Sequence, residues 1–90
     1  MYQIKQTDTF EKKSIKFFKK HRDLVPKFKK VIKKLTNDPF ENSLKTHKLK
    51  GNLSDFYACS LTYQYRIILT IEIRDEEIFL VNIGTHDEVY

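Results

Sequence analysis

The sequence has one cysteine, two glycines and two prolines, and each shortage closes off a class of protein. With Cys59 alone, no intramolecular disulfide is possible, and a small apolar position inside a strand is the expected use of that thiol. Two glycines cannot build a glycine-rich phosphate loop. Three scattered histidines and one cysteine give no pair at zinc-ligand spacing, so neither a metal nor a nucleotide cofactor is expected. No apolar run approaches the ~20 residues of a membrane span, and Met1-Tyr2-Gln3-Ile4-Lys5 lacks the apolar core of a signal peptide. The expected location is therefore the cytoplasm, with no membrane partner.

What is present is aromatic and basic. Ninety residues make one expected domain, 1–90, and a chain of this size buries only ~60–65% of the surface its unfolded form exposes. A 40% hydrophobic share, with seven Phe and five Tyr, suffices for a two-layer core of helices on one sheet. Net charge is +5, and eleven of the seventeen basic residues lie between Lys12 and Lys34. Either these lysines are the solvated faces of two amphipathic helices, or they are the footprint of nucleic acid or of an acidic protein partner. The two readings are compatible.

Residues 2–6 alternate as a short strand, with Tyr2 and Ile4 on one side. Thr7 and Asp8 both offer caps, and Asp8 with Glu11 has capping-box spacing, which predicts a helix to about Lys20 with Phe10, Ile15, Phe17 and Phe18 as its buried stripe. The spacing of Leu24, Phe28, Val31, Ile32 and Leu35 predicts a second helix, with Pro26 in its first turn and an end at Asn37-Asp38-Pro39. From Leu44 the period changes to two. Strands are expected near 45–50, 55–62, 65–73 and 78–83, joined as an antiparallel meander with turns at Gly51-Asn52 and Asp75-Glu76. In the third of these, Tyr65, Ile67, Leu69, Ile71 and Ile73 point one way, which leaves Arg66 on the more polar face. The fold class is α+β in the order β-α-α-β-β-β-β.

Chemistry concentrates in the second half. RNA can be cut without metal if a base removes the 2′-hydroxyl proton, an acid protonates the leaving 5′-oxygen and a cation steadies the pentacovalent phosphate. His47 and His86 suit the proton roles near neutral pH. Arg66 suits the third, because its planar fork holds two phosphate oxygens and stays charged. Taken singly, a strand arginine is also an ordinary ion-pair partner and a histidine an ordinary exposed side chain.

The N-terminal strand and basic helical hairpin, His47-Lys48-Leu49-Lys50-Gly51, Asp55-Phe56-Tyr57-Ala58-Cys59-Ser60, Tyr65-Arg66-Ile67-Ile68 and the ending Asn82-Ile83-Gly84-Thr85-His86-Asp87-Glu88-Val89-Tyr90 together resemble the RelE/ParE superfamily of toxins from toxin-antitoxin pairs. The likeness is strongest to its YafQ-like and YoeB-like mRNA interferases and covers nearly the whole chain. It implies a RelE-like fold and an endoribonuclease that cleaves mRNA in the A site of the 70S ribosome. It also implies a cognate antitoxin that silences the toxin by wrapping around it, and contact with operator DNA only through that antitoxin.

By position, the resemblance makes His47 the general base, Arg66 the phosphate-stabilising residue and His86 the general acid. Lys45, Lys48 and Lys50 would hold RNA as point charges, while Tyr57, Tyr65 or Phe79 would stack a base, the two tyrosines having core or rim packing as their other reading. Ser60 and Gln64 stand where YafQ-like relatives carry a second histidine and an aspartate. Two alternatives fit the same scaffold: a ParE-like toxin that inhibits DNA gyrase by binding, and a degenerate toxin that serves as an antitoxin-binding corepressor.

Overall fold

The computed structural model describes residues Met1–Tyr90. Its elements run β1 (Gln3–Gln6), α1 (Asp8–Lys20), α2 (Val25–Asn37), β2 (His47–Lys48), β3 (Tyr57–Ser60), β4 (Tyr65–Glu72), β5 (Glu77–Thr85) and α3 (His86–Val89). Short 3-10 turns at Arg22–Leu24, Asn42–Leu44 and Gly51–Leu53 link them. The strands form one mixed sheet in the order β1-β5-β4-β3-β2. The last four make the expected antiparallel meander, whereas β1 joins parallel to β5. The class is α+β.

Thr7, not Asp8, caps α1: its hydroxyl oxygen accepts from Phe10 N at 3.2 Å and its O–H donates to Leu80 O at 2.9 Å, which ties the helix start to β5. Asp8 and Glu11 stay in the first turn, where their charge favours the helix dipole. Asp38, before Pro39, is extended and ends α2 as the proline rule requires. Phe10 is fully buried, but Ile15 is 56% exposed and does not belong to the buried stripe. β2 shrinks to two residues because 3-10 turns flank it, the first ending in left-handed Lys45 and the second opening on Gly51 at φ +66.

Both long helices cover one face of the sheet. Phe10, Val31 and Leu35 meet Cys59, Ile67, Leu69, Ile78, Leu80 and Ile83 in one buried cluster. Tyr65 and Ile71 pack against it as the alternation predicted, but Ile73 lies beyond the strand and is exposed. Register between β4 and β5 slips beside Ile68 and Leu69, whose partners are Asn82 and Leu80, so Val81 is an extra residue in β5. The bulge changes the parity of β5. Ile78 and Leu80 face the helices before it and Ile83 after it, while Asn82 and Gly84, paired with Ile68 and Arg66, turn to the opposite face.

Cys59 is completely buried, and that burial pushes its thiol up to about 12. It is a core residue, not a nucleophile. Native protein should therefore react with a thiol reagent only through unfolding, at least ~10³-fold more slowly than the same chain in denaturant, given typical domain stabilities. Stopped-flow labelling under both conditions measures this.

Candidate active site

The face of the sheet away from α1 and α2 is built in rows. Ser60, Arg66 and Gly84 are cross-strand neighbours in one row, and His47, Ala58, Ile68 and Asn82 form the next. Ala58 and Ile68 are buried there because Val89 of α3 lies on them, with Leu49, Phe56 and Val81 around the patch. The single turn of α3 thus roofs part of this face and leaves the rest open.

Gly84 is what lets α3 lie so close. A Cβ at this position would stand 3.1 Å from Glu88 Oε1, 3.2 Å from Glu88 Cβ and 3.3 Å from Val89 Cγ1. Thr85 then caps the turn with a full capping box: its N–H donates to Glu88 Oε1 at 2.8 Å and its hydroxyl oxygen accepts from Glu88 N at 3.3 Å. These bonds from Thr85, helped by the charges of Lys13 and Lys20, hold the Glu88 carboxyl below its usual range. Gly84→Ala should cost ~1–2 kcal/mol by overpacking and push α3 off the sheet, lowering the melting temperature and displacing His86 and Tyr90 together.

Four residues apart on α3, His86 and Tyr90 meet with ring centroids 4.1 Å apart, edge to face. The Tyr90 hydroxyl lies 3.4 Å from His47 Nε2, and His47 Nδ1 lies 3.0 Å from Lys45 O. In the neutral imidazole, an Nδ1–H that serves this carbonyl leaves the lone pair on Nε2, where it accepts from Tyr90. Partial burial raises the Tyr90 phenol above its usual range against the opposing pull of Arg66, which keeps it a neutral donor. Tyr90 therefore spans His47 and His86. His86 Nδ1 is 3.6 Å from Asp87 Oδ1.

Arg66 is anchored by one nitrogen. Its Nη1 donates to the carbonyls of Thr62 at 2.7 Å and Tyr63 at 2.9 Å in the turn from β3 to β4, and of Tyr65 at 3.2 Å at the start of β4. Nη2 and Nε make no hydrogen bond within the protein and are free for an anion.

The other sequence candidates scatter. Lys45 and Lys50 flank β2 and are exposed, but Lys48 is the partner of Tyr57 and so takes the helix face, opposite to His47. Tyr57 packs on Phe40, and Tyr65 packs on Phe17 with its hydroxyl 3.4 Å from His21 Nε2. Both belong to the rim of the helix-side core and stay partly exposed there. Phe79 is on the open face but opposite Thr70 and beneath Lys5, four residues or ~13 Å along β4 from Arg66. Ser60 sits directly across from Arg66, and Gln64 is exposed in the turn. Tyr90 was missed by the sequence reading. Its signal was the Thr85-x-x-Glu88 cap, which starts a helix and sets Tyr90 one turn from His86. No group of three or more His, Cys, Asp or Glu side chains stands together as a metal site.

Comparison with known proteins now bears on this geometry. The family model described as bacterial toxin of type II toxin-antitoxin system, YafQ, matches residues 2–90. A metal-bound toxin from Helicobacter pylori is 31% identical, with both chains fully covered and a TM-score of 0.83. YafQ from E. coli strain BL21(DE3) is 18% identical over 100% of this chain and 99% of its own, with a TM-score of 0.81. The E. coli DinJ-YafQ toxin-antitoxin complex is similar at 19% identity over 99% of this chain and 97% of that one, with a TM-score of 0.78. No curated protein sequence matches significantly. The expected RelE-like fold is the fold these toxins share with the chain. The family match along almost the full sequence and the agreement of the folds lead to one conclusion: the chain belongs to the YafQ family, within the RelE superfamily of type II toxin-antitoxin toxins.

Proposed function

We propose that this toxin is a metal-independent, ribosome-dependent endoribonuclease that cuts mRNA in the ribosomal A site and so stops translation. The observation that carries the reading is the contact of His47 and His86 with the same side chain, Tyr90, on the face where Arg66 offers free guanidinium nitrogens. His47 Nε2 takes the 2′-hydroxyl proton, and the 2′-oxygen attacks the adjacent phosphorus. The bond to the 5′-oxygen breaks as His86 protonates it, leaving a 2′,3′-cyclic phosphate. Arg66 Nη2 and Nε hold the non-bridging oxygens as charge builds on them. Base, acid and cation are all protein groups in this scheme. Tyr90 keeps the two histidines in register across the substrate.

A cognate antitoxin is the proposed inhibitor, as DinJ accompanies YafQ in the E. coli complex, and operator DNA is reached only through it. The unpaired lysines of α1 and α2 suit an acidic segment of that partner or the ribosomal RNA. Ribosomes place the action in the cytoplasm, and no helix is long and apolar enough to cross a membrane. Primer extension on a message translated in a cell-free system tests the activity. Cuts inside codons are expected from the wild type. Growth arrest without any cuts would instead assign the toxicity to binding, as in a gyrase inhibitor.

A further inference from the structure

One cluster of charge reaches beyond the scheme above, sharing only Arg66 with it. Where β3 turns into β4, a cleft of about 260 Å³ opens between α2 and residues 43–45. Lys27, Lys34, Lys45 and Arg66 line it, and no acidic residue does. None of the four forms a salt bridge: the ion pairs in the protein are those of the Met1 amino group, Lys5 and His86. Lys34 Nζ is held by Ser43 Oγ at 2.7 Å, and Ser43 is fixed in turn by Glu41. Lys45 reaches the cleft from a left-handed backbone, φ +52, a conformation disfavoured for a lysine and held here by the end of a 3-10 turn. Glu41, reached through Ser43, offsets part of the Lys34 charge, and the excess of positive charge that remains around so small a volume favours an entering anion. The larger cleft beside α1, by contrast, already contains Glu88 among its lysines.

At the lip of the charged cleft stands Tyr63, 95% exposed and packed on nothing. Its turn is rigid, because Arg66 Nη1 ties the carbonyls of Thr62, Tyr63 and Tyr65 and Thr62 Oγ1 accepts from the N–H groups of Gln64 and Tyr65, each at 3.2 Å. A rigidly presented aromatic ring beside a row of cations is the arrangement that binds single-stranded nucleic acid: phosphates in the groove, a base on the ring. Arg66 belongs to both places, anchoring the turn at the cleft and standing close enough to Tyr90 for its charge to act on the phenol.

We infer that the cleft of Lys27, Lys34, Lys45 and Arg66 holds the sugar-phosphate backbone of the RNA next to the cut, and that Tyr63 stacks on one of its bases. The inference rests on the endoribonuclease reading for the identity of its ligand. It explains why the turn is tied down by the residue that also faces the scissile phosphate: the two contacts must keep a fixed separation along one strand.

The test is fluorescence anisotropy of the full chain with a labelled hexanucleotide carrying 2′-O-methyl groups, which cannot be cut. Lys27→Glu/Lys34→Glu should weaken binding at least ~10-fold and lower the salt slope by ~1.4, two contacts to a single strand. Tyr63→Ala should cost ~5- to 100-fold. A charge-matched control, Lys12→Glu/Lys19→Glu on exposed positions of α1, should stay within ~3-fold. Equal weakening in the control and the cleft variant would overturn the proposal, as would a cleft variant that binds normally. Binding of polyglutamate but not of the oligonucleotide through Lys27 and Lys34 would also overturn it, in favour of a protein partner. Because the probe is not cleaved, the two readings fail separately. A wild type that holds the probe through the cleft but cuts no message keeps the cleft and removes the enzyme.

Discussion

His47→Ala is expected to slow cleavage of a translated message by ~10²–10⁴-fold, the usual worth of a proton-transfer group, while the protein stays folded. The geometry makes the prediction specific. Lys45 O accepts from Nδ1–H, so in the neutral ring the nitrogen towards Tyr90 is the basic one, and alanine removes it. His47 is exposed on an edge strand of two residues, so its loss leaves the buried cluster intact. The pH profile gives a sharper check. A base must be deprotonated and an acid protonated, so the wild-type rate should fall on both sides of a maximum. His47→Ala should flatten the acidic limb and His86→Ala the alkaline limb. If His47→Ala cuts at the wild-type rate, the base has been misassigned.

Arg66→Ala is expected to lose ~10²–10³-fold in the single-turnover rate, the range seen when a group that stabilises transition-state charge is removed. It should also loosen the turn, because three carbonyls lose their donor. The guanidinium is partly exposed, so solvent screening limits that stability cost to ~1 kcal/mol. Arg66→Lys separates the two effects. A lysine keeps the charge but cannot hold the turn and also present a second, planar pair of donors. It should recover most of the melting temperature and little of the rate. A lysine variant with near-wild-type rate would mean that charge alone is needed at this position.

Much of this was legible in the sequence, and the parts that were not share a cause. The alternation in β4 predicted which side Arg66 takes, and Asn37-Asp38-Pro39 predicted the end of α2, because each depends on residues next to one another. The same alternation placed Tyr65 with Ile67 and Leu69, on the side away from Arg66, where it packs on the core. The parallel pairing of β1 with β5 could not, since nothing local to residues 3–6 distinguishes one neighbour from another. Nor could the bulge at Val81, which reverses the facing of Asn82 and Gly84 and so decides where α3 lands. The meeting of His47 with Tyr90 is the sum of these non-local facts. The two residues are remote in sequence and come together only when the edge strand, the bulge and the capped turn are all in place.

The parallel strand pair also sets when the molecule can begin to act. β1 is synthesised first, yet Gln3 pairs with Glu77 and Gln6 with Leu80, and no other strand lies beside it. Closing a loop of that span carries an entropic cost, and pairings of such long sequence separation form late. The same strand β5 carries α3 at its end, so the completion of the sheet and the arrival of His86 and Tyr90 are one event. A ribosome making this protein releases β5 after every other strand, so the sheet and the face that α3 roofs are completed last. Premature termination anywhere before β5 yields a fragment with an open sheet and without the residues that α3 brings to it.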